Sequence, residues 1–170
     1  NRNAYSISKA QLYSNTPSDF DFKLHTTAIP LSEVEFVSKL KETDIVFPVI
    51  HGQYGEDGKL QYLLEKNNIP FVGAGSYSCN LAFNKQHASE FLREKGFYVY
   101  PFVTLFADRN DNSDKIHRFF ELNRLKKAVV KPVNGGSSIG VYCVYSADEA
   151  YEKTKELFEK NLGPVLLEPF

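Results

Sequence analysis

Methionine is absent from the 170 residues, and cysteine occurs only twice, at Cys79 and Cys143. Two cysteines so far apart, in no CxxC pair, point to a reducing compartment rather than to a disulfide framework. They are expected as two buried free thiols in a reducing compartment, with the cytoplasm as the location. Charge of one sign is lacking too: the formal net charge is −1, which gives no basic surface for nucleic acid. No apolar run approaches the roughly 20 residues of a membrane span, and no secretory pattern opens the chain. Repeats and low-complexity tracts are missing. Without an initiator methionine, and with an apolar run ending at Phe170, the chain is expected to be a piece of a longer polypeptide.

What is present has two textures. Residues 1–30 mix polar residues with single aromatics and suggest short strands and turns. From Leu31 the pattern sharpens. Ser32 is placed to cap a helix whose apolar face is Val34, Val37 and Leu40. The run 44–50, "DIVFPVI", predicts a strand covered on both faces, with pairing ending near Pro48. Leu60, Leu63 and Leu64 predict a short helix, and "IPFVGAG" a further strand. That order implies a parallel βαβ unit.

The second half predicts an α+β pattern. A helix should run from Ser76 to about Lys95, with Leu81, Ala88, Phe91 and Leu92 inward. A strand is expected in "FYVYPFVTLF", then a helix with Ile116, Phe119 and Phe120 inward. "KAVVKP" and "GVYCVYS" predict antiparallel strands joined by a glycine loop. Ser146 and Glu149 suggest a capping box for a helix reaching about Asn161, before a last strand, "GPVLLEPF". The implied division is 1–75, a Rossmann-like parallel-sheet unit; 76–164, a second subdomain; and 165–170, a linking strand.

Two loops carry chemistry. "VVKPVNGGSSIGV" has Lys131 before its glycines, so it is no Walker A loop, and it leads into β-type residues, so it is no dinucleotide fingerprint. Glycines allow successive amides to converge on an anion, and Ser137 and Ser138 add hydroxyls. A plain hairpin turn is the competing reading. "HGQYGEDG" puts His51 at a strand end, where ligands gather, with a Glu56–His51 hydrogen bond suited to fixing the imidazole tautomer. A helix start with acidic residues is its alternative. Lys85 alone reads as a solvated helix lysine, and Glu168 as a carboxylate ending a buried-looking strand. His25, His87 and His117 have no such context.

Taken in order and spacing, "HGQYGEDGKLQ", "IPFVGAGS", "LAFNK", "VVKPVNGGSSIGV" and "VLLEPF" resemble the D-alanine–D-alanine ligases of the ATP-grasp superfamily. The resemblance runs from about Asp44 to the end, and HGxxGEDGxxQ is its most specific part. It implies that His51 and Glu56 lie near the first D-alanine. It implies that Lys85 and Lys131 contact ATP phosphates, that Ser137 joins a catalytic hydrogen-bond triad, and that Gly136 and Ser138 help close on the phosphates. Glu168 would start the segment receiving adenine, with Pro169 and Phe170 beginning the linker between nucleotide-binding domains and Phe170 counted with Glu168 among the nucleotide-binding residues. Residues 76–164 would be the central ATP-grasp subdomain.

The implied reaction joins two D-alanines through an acyl phosphate for peptidoglycan precursors, with ATP and Mg²⁺ and in a homodimer. The metal ligands would lie outside this chain, as would a first glycine-rich motif and a C-terminal domain; the chain alone is expected to be inactive. Gly135, Asn84 and Phe83 depart mildly from the family pattern. Two other readings stay open. One is another ATP-grasp carboxylate–amine or D-alanyl-D-lactate ligase. The other is a nucleotide-binding module without catalysis.

Overall fold

A computed structural model describes residues 4–13, 16–136 and 138–170. Helices and strands alternate in a mixed α/β fold, and contacts divide the chain into two units. One comprises Asn1–Pro48 with Leu64–Gly73, the other Val49–Leu63 with Ala74–Phe170. The motif loop from His51 therefore groups with the second unit, a division different from one at residue 75.

In the first unit β1 (Ala4–Ser6) pairs antiparallel with β2 (Ile29–Leu31). Between them lie α1 (Lys9–Leu12) and α2 (Pro17–Thr27). The second of these helices corrects the expectation of strands and turns before residue 30. Its start is chemically well made: Thr16 Oγ1 accepts the Asp19 N–H at 3.1 Å, and Pro17 occupies the first turn, where its missing N–H costs nothing. α3 (Glu33–Lys41) begins at Ser32 as expected, with a full capping box closed by Glu35. Its inward face is Phe36, Val37 and Leu40, whereas Val34 is exposed.

The parallel pairing foreseen for 44–50 and 69–75 exists as one bridge, Val46 to Phe71. Val46 donates to the Pro70 carbonyl and its own carbonyl accepts from Val72, both at 2.9 Å. No longer strand forms there, and Ile45, Phe47, Val49 and Ile50 are exposed rather than covered on both faces. Apart from that bridge the described residues place no strand beside this run, and only Val46 and Pro48 of it are half-buried. α4 (Lys59–Lys66) connects the two stretches, with Leu60 and Leu64 buried and Leu63 half-buried.

The second unit contains α5 (Ser76–Phe83), α6 (Lys85–Glu94), β3 (Val103–Leu105), α7 (Asn112–Leu122), β4 (Ala128–Pro132), β5 (Tyr142–Val144), α8 (Ala147–Glu159) and β6 (Val165–Pro169). The strands make an antiparallel sheet in the order β3-β6-β4-β5. β6 is thus an inner strand between β3 and β4, not a link leading away. α7 and α8 cover one face, where Ile116, Phe119, Phe120 and Leu157 pack against Val130, Val165 and Leu167. At helix α8, Ser146 caps as foreseen, but the Glu149 carboxylate takes the Tyr145 N–H, at 2.8 Å.

Alternation along β4 decides what the other face carries. Ala128, Val130 and Pro132 are buried, while Val129 and Lys131 are only half-buried. Directly opposed residues in an antiparallel pair share a face. Register therefore sets Glu168 across from Val129 and Leu166 across from Lys131, away from α7 and α8. The strand expected over 97–106 is confined to Val103–Leu105, and Phe97, Tyr98 and Tyr100 are exposed. Cys79 is half-buried, its thiol donating to the Ala74 carbonyl at 3.4 Å; Cys143 is a free thiol but exposed, on β5, which lies at the sheet's edge.

Candidate functional site

The single helix expected over 76–95 is two, and the break makes the site. Asn84 leaves helical geometry, at φ −93° and ψ 105°, and ends α5. Its backbone bridges Asn134, and its Oδ1 accepts the His87 N–H at 3.0 Å, capping α6. Lys85 thereby becomes the first residue of α6. A cation there runs against the helix dipole, so helix stability does not account for it. Its N–H donates to Val133 O at 3.0 Å, and its Nζ donates to Gly135 O at 2.9 Å. Lys85 is tied to the glycine loop from both ends, which no local pattern around it reveals.

Lys131 projects from β4 beside it and contacts the Glu168 carboxylate diagonally across the β4–β6 pair. Both lysines line a cavity of about 290 Å³ walled by Val129, Gly135, Ser138 and Ile139. Burial, and then the Lys131 charge, hold the Lys85 ammonium below its ordinary value, with Glu168 opposing them. Two converging ammonium groups under a glycine loop form a place for a polyanion.

The loop's glycines are not equivalent. Gly135, at φ +123°, needs a residue without a side chain, whereas Gly136 does not take a positive φ. A side chain at Gly136 would first meet Glu56 Oε2, at 3.8 Å. The HGQYGEDG loop and the glycine loop therefore adjoin. Within the former, the Glu56 carboxylate accepts the Gly52 N–H at 2.6 Å. His51 Nδ1 stands 3.7 Å from Glu56 Oε1, too long for the expected hydrogen bond. The loop's own backbone donor satisfies Glu56 first and leaves the exposed imidazole outside reach.

Gln61, the last residue of the motif, is buried and donates to Gly55 O at 2.7 Å, holding the loop onto α4. Asp57 is buried as well. Burial works against its charge, but the Lys59 ammonium and the Tyr54 and Lys59 N–H groups prevail and keep it below the usual carboxylate range. Neither Gln61 nor Asp57 stood out as a structural anchor in the sequence; a polar residue at helical spacing with Leu60 and Leu64 is the only hint.

Of the other expected site residues, Ser137 lies outside the described residues. Ser138 borders the cavity. Phe170 does not reach it: Lys127 Nζ sits 3.1 Å from its ring centroid at the far end of β4. Among the described residues there is no group of three or more His, Cys, Asp or Glu able to hold a metal.

Residues 2–74 match the family model described as D-ala D-ala ligase N-terminus. A D-alanine–D-alanine ligase A from Chromobacterium violaceum is 42% identical over 102 residues, which is 60% of this chain and 27% of that protein. The ligase structure from Coxiella burnetii superposes with a TM-score of 0.80 at 28% identity, covering 99% of this chain and 50% of its own. The chain is similar to the D-alanine–D-alanine ligases. It spans between about a quarter and a half of these ligases' length. Another structural relative, the Bacillus anthracis ligase complexed with ATP, is 30% identical with a TM-score of 0.67, over 82% of this chain and 44% of its own.

Proposed function

We propose that the full-length protein uses ATP to join two D-alanines into D-alanyl-D-alanine, a peptidoglycan precursor, in the cytoplasm and as a homodimer. The observation that carries this is that Lys85 and Lys131 line one cavity together with the glycine loop, whose Gly136 adjoins the Glu56 carboxylate. Related ligases by name, one of them bound to ATP, support the same reading.

The first D-alanine's carboxylate attacks the γ-phosphate and ADP leaves, giving an acyl phosphate. The second D-alanine's amine then adds to that carbonyl, and phosphate departs from the tetrahedral intermediate. Phosphoryl transfer asks mainly for positioning and charge neutralisation. Lys85 and Lys131 supply the charge, and the loop carrying Gly136, Ser137 and Ser138 shields the acyl phosphate from water. His51 and Glu56 border the first D-alanine, and Glu168 starts the adenine segment, with Phe170 in the linker that follows. Mg²⁺ would neutralise further phosphate charge, held by ligands that this proposal places outside the chain.

In the full-length protein, Lys131→Ala should raise the KM for ATP and lower turnover, by about 10²-fold or more in kcat/KM if one charge-assisted phosphate contact of about 3 kcal/mol is lost. Unchanged ATP kinetics would remove Lys131 from the site. His51→Ala should raise the D-alanine KM more than the ATP KM; the reverse order would move His51 to the nucleotide. Product formed with D-lactate, but not with a second D-alanine, would overturn the dipeptide reading in favour of a depsipeptide ligase.

A further inference from the structure

Lys131 has a partner that phosphate binding does not ask for. A lysine meant only to meet an anion is best left unpaired, yet its Nζ contacts Glu168 Oε1, and both side chains are largely withdrawn from solvent, at 19% and 29% exposed. Glu168 is not among the described residues lining the cavity, whereas Lys85 and Lys131 both are. The carboxylate thus contacts Lys131 without itself lining the cavity. Without it, two ammonium groups would share one partly buried wall with no counter-charge, an arrangement that favours loss of a proton from one of them.

We infer that Glu168 is a positioning residue: through its contact with Lys131 it keeps the pair of lysines charged and aimed at the cavity before any ligand arrives. This role rests on reading the cavity as a polyphosphate site, and it is separate from any contact Glu168 makes with adenine. The charged groups facing Lys85 are Lys131 on β4 and Glu168 on β6, while the carbonyls of Val133 and Gly135 accept hydrogen bonds from its Nζ. Lys85 is the reporter because its ammonium is already depressed by burial and by Lys131, and is supported by Glu168. The sign follows. Removing the carboxylate lowers the Lys85 titration midpoint, so the ammonium is lost at lower pH; removing the Lys131 charge raises it.

The test is a side-chain carbon NMR titration of the lysines in this 170-residue chain, for the parent, Glu168→Gln and Lys131→Gln. The expected result is opposite displacement: Lys85 titrates lower than the parent in Glu168→Gln and higher in Lys131→Gln. A general loosening of the sheet would move Lys85 in the same direction in both, and that outcome, or no displacement in either, overturns the inference. Should Glu168→Gln lose its folded amide spectrum, Lys131→Gln still decides: a Lys85 midpoint at or below the parent's sinks the proposal.

A second arm uses the full-length protein with ATP and with inorganic tripolyphosphate as probes. Glu168→Gln should weaken both by the same factor, more so at higher pH. Weakening of ATP alone would make Glu168 a reader of the base and overturn the positioning role. Failure of either probe to bind the parent would count against the polyphosphate site itself and leave the NMR result to judge Glu168 separately.

Discussion

Gly58→Ala should destabilise the second unit by about 2–6 kcal/mol, seen as a fall in the denaturant midpoint without loss of cooperativity. Two costs act together. Gly58 has φ +87°, where a residue with a Cβ is strained by about 1–3 kcal/mol. The new methyl would also overlap the Ser76 carbonyl oxygen and lie 3.2 Å from Asn80 Cβ, and overpacking of this kind costs about 1–3 kcal/mol more. The obstacle is backbone, which cannot swing aside as a side-chain end could. Relief requires the HGQYGEDG loop to part from α5, breaking the Asn80 Nδ2 hydrogen bond to Asp57 O at 3.3 Å. Gly136→Ala is the internal comparison. With no positive φ and its nearest neighbour 3.8 Å away, it should change stability by less than about 1 kcal/mol. Equal losses at the two glycines would contradict this account of the loop.

Leu167→Ala should cost about 2–5 kcal/mol, a large part of a typical domain's stability of about 5–15 kcal/mol. Leu167 is fully buried, pairs with Val103 on one side and Val130 on the other, and faces the core built by α7 and α8. Truncation leaves a void between strands that side chains from three elements cannot close together. Urea unfolding measures the loss, and Leu122→Ala, at an exposed α7 position, should stay near the parent. A loss below about 1 kcal/mol for Leu167 would mean that β6 does not sit at the sheet's centre. The neighbouring residues Leu166 and Glu168 face the opposite side, so the same variant tests whether the lysine cavity tolerates a slackened strand beneath it.

How far the sequence revealed these arrangements depended on whether the signal was local. Ile116, Phe119 and Phe120 recur at helical spacing, and α7 buries all three. Along β4, Ala128, Val130 and Pro132 alternate inward, and the foreseen antiparallel pairing with β5 is present. α2 was locally legible too, through Thr16, Pro17 and Asp19, yet its weak apolar face concealed it; none of its residues is buried. The break at Asn84 was not legible, because its cause is a bridge to Asn134, far along the chain. For the same reason Lys85 looked like surface. The apolar run 44–50 misled in the opposite way: its composition calls for neighbours on both sides, and the described residues provide one bridge. At the site, motif order identified the lysines, while the parking of Lys85 on Gly135 O and the pairing of Lys131 with Glu168 depend on long-range contacts.

The sheet order β3-β6-β4-β5 also sets a timetable for synthesis. β4 and β5 can zip together as soon as the glycine loop between them has been made, since neighbours in sequence meet quickly. β3 cannot: its only strand partner among the described residues is β6, the last of the described elements to be translated. Until β6 slides in, β3 waits unpaired and one edge of β4 lies open, and such edges invite pairing with other chains. The distant pairing of β3 with β6 slows closure as well. Both lysines are therefore translated before Glu168 arrives on β6, and the same strand that completes the sheet brings the counter-charge with it.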